Sequence, residues 1–418
     1  MKPETAGMSP ARLARLDNVL QRRYVDSGLL PGTLTYVYRK GQLVHTSICG
    51  QMDIERDKPM REDAIFRIFS MSKPITAVAL MMLAEEGLVG LDEDVHTHIP
   101  TWKDLGVCSF AIPPVLADAP LSFVTTPTLR PMKVLDLLTH TSGLSSCFPM
   151  RTAVDAAYRR ARITDPHTPG GLPEMIDQLS QIPLDFSPGT AWNYSVSLDV
   201  VGYLVEKLSG MGLGEFLRTR LFEPLGMRDT AFWVPWDEAE RFVSCYQPVG
   251  GGRGLILQDD ARQSLYYTEP PRLESGGAGL VSTAHDYLRF CRMMLNGGTL
   301  DGVQILNPKT VALFSQNYLP DGREVADMAV PGLFSGSNYV GVGFSFGCGV
   351  HVDVAKRPLS GSIGQYFWGG ATGSTFWIDP KEELAVVFMA QVIFSDAHKT
   401  LRRDLRALVY SAITESFN

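Results

Sequence analysis

An apolar run from Ala77 to Leu83 dominates the first quarter of the chain. Glu85-Glu86 and then Gly87 close it, so the pattern predicts a helix with a glycine stop. A helix that is apolar on nearly every side is stable in water only at the centre of a core, and the rest of the chain must wrap around it. The run is well short of the roughly 18 apolar residues that cross a bilayer, so no membrane span is expected. The head of this helix carries Ser70-Met71-Ser72-Lys73. Residues three apart lie on one helical face, so Ser70 Oγ and Lys73 Nζ can share a pocket. A serine hydroxyl is a poor nucleophile until a neighbouring base takes its proton, and a lysine at this spacing can be that base.

Composition narrows the class. The 418 residues are enough for two domains, and 45% hydrophobic with 20% charged residues is ordinary for a globular protein. A mild net charge of -7, with no Lys/Arg-rich stripe, argues against nucleic acid as a partner. The six cysteines are scattered without a Cys-x-x-Cys pair, which fits reduced thiols in a cytosol and neither a disulfide framework nor a zinc site. The eight histidines show no His-Glu-x-x-His spacing, so no metal is expected. Met1 to Gly7 carries no apolar core of a secretory signal.

Pattern along the chain gives an element order. Pro10 to Val25 reads as an amphipathic helix capped by Ser9. Thr33 to Tyr38 and Leu43 to Ile48 read as a hairpin turning at Lys40-Gly41. From about Thr101 to Pro248 the pattern is helical: Val134 to His140, Ala153 to Arg162, Leu172 to Ile182, Ser197 to Ser209 and Leu213 to Leu221. Pro113 to Pro131 and Asp165 to Gly171 read as loops between them. Ala284 to Leu295 reads as a helix, Val340 to Val354, Thr375 to Ile378 and Leu384 to Ala390 as strands, and Asp396 to Phe417 as a closing helix. The order predicts an α/β domain from residues 1–100 and 250–418, an antiparallel sheet flanked by helices, with an all-α domain of residues 101–249 inserted. A pocket between two such parts is a natural active site.

Two further boxes bear on Ser70. Pro188-Gly189-Thr190-Ala191-Trp192-Asn193-Tyr194-Ser195-Val196 puts Tyr194 just ahead of the apolar helix Leu198 to Leu208. A tyrosine hydroxyl there can share the nucleophile's proton, or the ring can simply pack between domains. Trp368-Gly369-Gly370-Ala371-Thr372-Gly373-Ser374 precedes the strand from Thr375. Glycines at a strand opening admit a ligand close to the backbone, or they make a plain Gly-rich hairpin. Gly343-Phe344-Ser345-Phe346-Gly347 matches the Gly-x-Ser-x-Gly lipase pattern, but that motif needs a strand-to-helix elbow and more strand follows here. Phe148, Tyr246 and Trp377 are candidate pocket walls, and His140 reads as a structural hydrogen-bonder.

Ser-x-x-Lys, a tyrosine box and a Gly-rich strand opening, in that order, resemble the serine β-lactamase and penicillin-binding protein superfamily. Leu137 to Leu144, Leu221 to Met227 and Gly277 to Thr283 look like its class C β-lactamase-like branch. Two boxes depart from the lactamase pattern. Tyr194-Ser195-Val196 stands where Tyr-x-Asn is usual, and Trp368-Gly369-Gly370 where Lys-Thr-Gly is usual. Both departures resemble the family VIII carboxylesterases. The resemblance implies a β-lactamase-like fold and a bacterial serine carboxylesterase, cytoplasmic and without cofactor, acting on small-molecule esters of short to medium acyl chain. It implies Ser70 as nucleophile, Lys73 and Tyr194 as its base system, and the Ser70 and Ala371 N–H groups as oxyanion hole. Trp368, Gly369 and Gly370 would line the substrate. The same scaffold leaves a β-lactamase or D,D-peptidase, an acyltransferase and a non-catalytic scaffold as alternatives.

Overall fold

The computed structural model describes residues 2–112, 121–250, 254–264, 267–332, 334–336, 339–356 and 360–417. Helix α1 (Pro10–Val19) starts at Ser9, whose hydroxyl accepts the Arg12 N–H, and runs on into a wider π turn at Leu20–Val25. Strands β1 (Gly32–Arg39), β2 (Gln42–Asp53) and β3 (Lys58–Pro59) follow. After β4 (Ile65–Arg67) comes the central helix α2 (Ser72–Glu85), in which every residue from Ser72 to Leu83 is buried. The continuous apolar run has therefore done what its pattern requires: α2 has no solvent face, and it packs most extensively against α6 (Ser197–Ser209).

Between α2 and α6 lie the hairpin β5 (Val107–Ile112)–β6 (Ser122–Thr126) and helices α3 (Val134–Thr139), α4 (Ala153–Ala161) and α5 (Gly171–Leu179). The hairpin corrects the expectation of an entirely helical stretch, and β6 falls inside the expected loop Pro113 to Pro131; residues 113–120 of that loop lie outside the described residues. Both strands are largely exposed, so neither shows the alternation of buried and exposed residues that marks a strand in a sequence. Beyond α6 come α7 (Leu213–Leu217), α8 (Glu223–Leu225), β7 (Cys245–Pro248), β8 (Leu255–Asp259) and β9 (Val281–Thr283), which pairs with β4. Then follow α9 (Ala284–Leu295), β10 (Thr299–Leu300), β11 (Val303–Gln304), α10 (Pro308–Leu313) and α11 (Val325–Met328).

The final strands are β12 (Val342–Phe344), β13 (Gly349–His351), β14 (Tyr366–Gly369), β15 (Gly373–Asp379) and β16 (Leu384–Gln391), and α12 (Ala397–Ser411) closes the chain. The expected single strand Val340 to Val354 is thus a hairpin, turned at Ser345 to Cys348 by Gly347, whose φ is 69°. One antiparallel sheet runs in the order β12-β13-β14-β15-β16-β1-β2-β3. Leu34 pairs with Met389 and Tyr36 with Val387, so the β1–β2 hairpin is zipped onto the last strand of the chain. Strands β15 and β16 are buried along their whole length, as strands covered on both faces must be. One core cluster joins α2 and α6 to the inner face of the sheet, and a second packs α1 and α12 on its other face. This layering matches the β-lactamase-like fold expected from the sequence: an antiparallel sheet with flanking helices.

Candidate active site

The chain enters α2 through a strained corner. Phe69, a residue with a side chain, sits in the left-handed region with φ of 44°, and Ser70 follows in a short turn of tighter helix, Phe69–Met71. The corner is pinned on several sides. Ser72 Oγ donates to the Phe69 carbonyl at 2.7 Å and accepts the Leu280 N–H at 3.1 Å. Tyr287 Oη donates to the Met71 carbonyl at 2.9 Å. Ser70 is left half-buried, its hydroxyl facing a cleft, at a helix start where the first N–H groups have no intrahelical acceptor.

Lys73 and Tyr194 both reach Ser70. Lys73 Nζ donates to Ser70 Oγ at 3.2 Å and to the Gly277 carbonyl at 2.7 Å, with the lysine only 3% exposed. Tyr194 Oη donates to Ser70 Oγ at 2.5 Å, and Lys73 Nζ lies 4.4 Å from the centre of the tyrosine ring. The Ser70 hydroxyl, the Tyr194 phenol and the Lys73 amine thus share one hydrogen-bond network, an arrangement in which a hydroxyl can be activated as a nucleophile.

Each partner is held by one of the sequence boxes. Thr76 Oγ1 donates to the Gly276 carbonyl at 2.7 Å and fastens the 276–280 turn along α2. A Cβ on Gly276 would stand 2.7 Å from the Leu198 carbonyl, so this glycine lets the turn approach α6. The 137–144 stretch supports Tyr194: the Asn193 N–H donates to the His140 carbonyl at 3.0 Å, and His140 Nδ1 meets Ser195 Oγ at 3.1 Å. The Ser195, Ser197 and Ser142 hydroxyls continue that network. His140 is fully buried, and burial, then the Lys73 charge, holds it well below the usual histidine range. It is a neutral packing and hydrogen-bonding group, its ring 4.9 Å from that of Tyr194.

The third box differs from its sequence reading. Trp368 and Gly369 end β14, and Gly370 to Thr372 form the turn into β15, so the box closes one strand as much as it opens the next. The Gly370 N–H donates to the Ser374 carbonyl at 2.8 Å, and the Ala371 carbonyl accepts the Phe394 N–H at 3.0 Å. A Cβ on Gly370 would lie 2.7 Å from the Ile68 carbonyl, so this turn runs against the backbone just ahead of Ser70. The indole of Trp368 packs 5.7 Å from the Tyr194 ring and 6.0 Å from Phe334, almost parallel to the latter. Nor is the box without charge nearby. Arg402 on α12 approaches the Gly370 carbonyl at 3.5 Å, with burial lowering its pKa. Nothing in the local pattern announces this, because 32 residues and two strands, β15 and β16, separate the two.

These groups open into one cleft of about 1580 Å³, which Ser70, Lys73, Tyr194, Trp368, Gly370 and Ala371 all line. Of the candidate walls, Phe148 and Trp377 line it, whereas Tyr246 does not. Tyr246 is buried elsewhere, donating to Glu55 at 2.6 Å and accepting the Ile54 N–H at 2.7 Å. Ser345 is fully buried in the β12–β13 turn, its hydroxyl donating to the Leu313 carbonyl at 3.2 Å, and no helix follows it. Asp199, missed from sequence, is a buried carboxylate on α6 that accepts the Gly277 N–H at 3.1 Å. The one signal for it was an acidic residue inside the apolar helix Leu198 to Leu208. Among the described residues no cluster of three metal-ligating side chains occurs, and no helix is long and apolar enough to cross a membrane.

The Beta-lactamase family pattern matches residues 18–411. The chain belongs to the β-lactamase family. Within this family an uncharacterised protein of Mycobacterium tuberculosis is 35% identical over 380 residues, 88% of each chain. Esterase EstB of Burkholderia gladioli is 29% identical over 430 residues, 98% of each chain. The solved structure of EstCE1, described as a hydrolase with promiscuous acyltransferase activity, is 25% identical and has a TM-score of 0.75, covering 96% of this chain and 99% of its own. The family, with these relatives, makes the chain a serine hydrolase of the serine β-lactamase-like superfamily.

Proposed function

We propose that the chain is a carboxylesterase that hydrolyses short-to-medium acyl esters through an acyl-enzyme on Ser70. The observation that carries this reading is the convergence of Lys73 Nζ and Tyr194 Oη on Ser70 Oγ at the wall of a large cleft. Ser70 Oγ attacks the ester carbonyl as its proton passes to the Lys73/Tyr194 pair. The carbonyl oxygen, now negative, is received by the Ser70 and Ala371 N–H groups, each such donor contributing about 3 kcal/mol in comparable sites. Collapse expels the alcohol, which takes the proton back from the pair. Water then gives a proton to the same pair and attacks the acyl-enzyme, releasing the acid and restoring Ser70.

The aromatic wall of Tyr194, Trp368 and Phe334 suits an apolar acyl or alcohol group. EstB, named an esterase, supports the ester class. An acyltransferase is the second reading, supported by the description of EstCE1; only the acceptor of the acyl group separates it from an esterase. A fluorophosphonate probe should label Ser70, and Ser70→Ala should abolish both labelling and hydrolysis of p-nitrophenyl butyrate. Persistent hydrolysis by that variant would sink the assignment. A panel of p-nitrophenyl esters of rising acyl length, run beside a chromogenic cephalosporin and with and without added alcohol, separates esterase, lactamase and transferase.

A further inference from the structure

Asp199 sits in the first turn of α6, only 3% exposed, and makes no ion pair among the described residues. A buried carboxylate without a salt bridge is costly unless hydrogen bonds and a nearby charge compensate it. Two of its bonds go to one short segment. The Ser275 hydroxyl donates to Asp199 Oδ1, and the Gly277 N–H donates to the same oxygen at 3.1 Å. Ser275 in turn closes the turn, its carbonyl accepting the Gly279 N–H at 2.8 Å and its hydroxyl the Ala278 N–H at 3.1 Å. The other face of that turn is the Gly277 carbonyl, which accepts Lys73 Nζ at 2.7 Å. The Asp199 carboxyl and the Lys73 amine therefore sit on opposite sides of one glycine. A Cβ on Gly277 would stand 2.6 Å from Asp199 Oδ2, so the spacing admits no side chain.

We propose that Asp199 is a positioning residue of the base system: it holds the 275–279 turn so that the Gly277 carbonyl meets Lys73 Nζ, and it supplies the counter-charge for the proton that Lys73 carries when Ser70 attacks. The inference rests on the serine-hydrolase reading of Ser70. The other groups facing this centre leave that charge to Asp199. His140, after α3, is kept neutral by burial and by Lys73. The Cys147 thiol, with Asp199 among its neighbours, is pushed up by burial and stays protonated. Tyr194 shares the proton itself, and Arg402 adds positive charge on the tyrosine side. Burial raises the Asp199 carboxyl, and Lys73 first, then Ser275 and the Gly277 N–H, oppose that rise.

The test uses Asp199→Asn, which keeps the shape and an acceptor oxygen but removes the charge. The rate constant for fluorophosphonate labelling of Ser70 is measured from pH 5 to 10, together with kcat and KM for p-nitrophenyl butyrate and the melting temperature. The plateau labelling rate and kcat should fall by about tenfold or more, with KM little changed. The acid limb of the profile should move to lower pH by about one unit, because Nζ has lost its counter-charge. Ser275→Ala is the second variant: it keeps the charge and loosens the turn, so kcat should fall while the limb stays in place. A wild-type limb and plateau in Asp199→Asn would overturn the proposal and leave Asp199 as a helix-start residue. Should Asp199→Asn fail to fold, an unchanged kcat in Ser275→Ala would overturn it. Labelling of Ser70 without ester turnover in the wild type would refute the esterase reading alone, since labelling still reads the base system.

Discussion

The turn after β14 offers a sharp prediction, because its place is set by a missing atom. In Gly370→Ala the new methyl would lie 2.7 Å from the Ile68 carbonyl oxygen and 3.6 Å from Phe69 Cβ. Neither neighbour can yield easily: Ile68 is backbone, and Phe69 is already in the left-handed region at the corner that aims Ser70. The turn must therefore retreat by about 0.7 Å to reach ordinary contact, and a misplacement near 1 Å costs about 100-fold in a preorganised site. The Ala371 N–H is the next donor along, so the retreat should weaken the proposed oxyanion hole. The loss expected is about 10- to 100-fold in kcat, or roughly 1.4 to 2.7 kcal/mol of barrier. KM should change little, because ester binding along the aromatic wall does not use this N–H. Steady-state hydrolysis of p-nitrophenyl butyrate gives both constants, and a thermal melt shows that the fold persists. A kcat within twofold of wild type, with the fold intact, would refute the placing of the oxyanion hole at this turn.

Other outcomes follow from the same structure. Ser345→Ala should leave turnover nearly unchanged, since its hydroxyl is buried against Leu313 away from the cleft; a loss above about 100-fold, near 2.7 kcal/mol, would make the Gly-x-Ser-x-Gly match functional after all. Two buried histidines predict acid sensitivity. Burial, then Arg402, pushes His398 down to about 3, and burial, then Lys73, holds His140 well below 6.5. The unfolded chain binds these protons near pH 6.5 and the native state does not, so their contribution is whole above that pH and falls as pH drops toward about 3. Each contributes at most about 1.4 kcal/mol per pH unit in that window. Urea unfolding at pH 7.5, 6.0 and 5.0 should show the decline, and His398→Gln should make it shallower; an identical slope in that variant would count against the burial argument.

The meeting of Ser70, Lys73 and Tyr194 was legible because these lie in short segments whose local pattern carries the information. Ser70 and Lys73 are three apart on one helix, and Tyr194 is marked by the apolar helix that follows it. The β1–β2 hairpin and α9 were legible for the same reason, the hairpin from β-branched runs joined at Lys40-Gly41 and the helix from its start after the glycine-rich turn at 276–279. What was hidden depends on chain segments meeting in space. The left-handed Phe69 has no signal, since nothing in its neighbours demands the conformation. Trp368 was read at a strand opening because the glycines after it mark a turn, without saying on which side the strand lies. Arg402 and Asp199 looked like ordinary helix residues until α12 met the Gly370 turn and α6 met the 275–279 turn. The β5–β6 hairpin escaped because its exposed strands bury too little on either face to impose a period of two.

The distances along the chain between the partners of Ser70 have a kinetic meaning. Tyr194 lies 124 residues beyond the serine it touches, and Gly277 lies 204 beyond Lys73. Contacts of such separation form late, because the loop-closure entropy must be met before they contribute anything. Local helices such as α6 and α9 can form while Ser70 is still alone. Catalytic competence is then a reporter of finished folding: after dilution from urea, helical signal should return first and ester turnover last, and the lag between them would time the closing of the cleft.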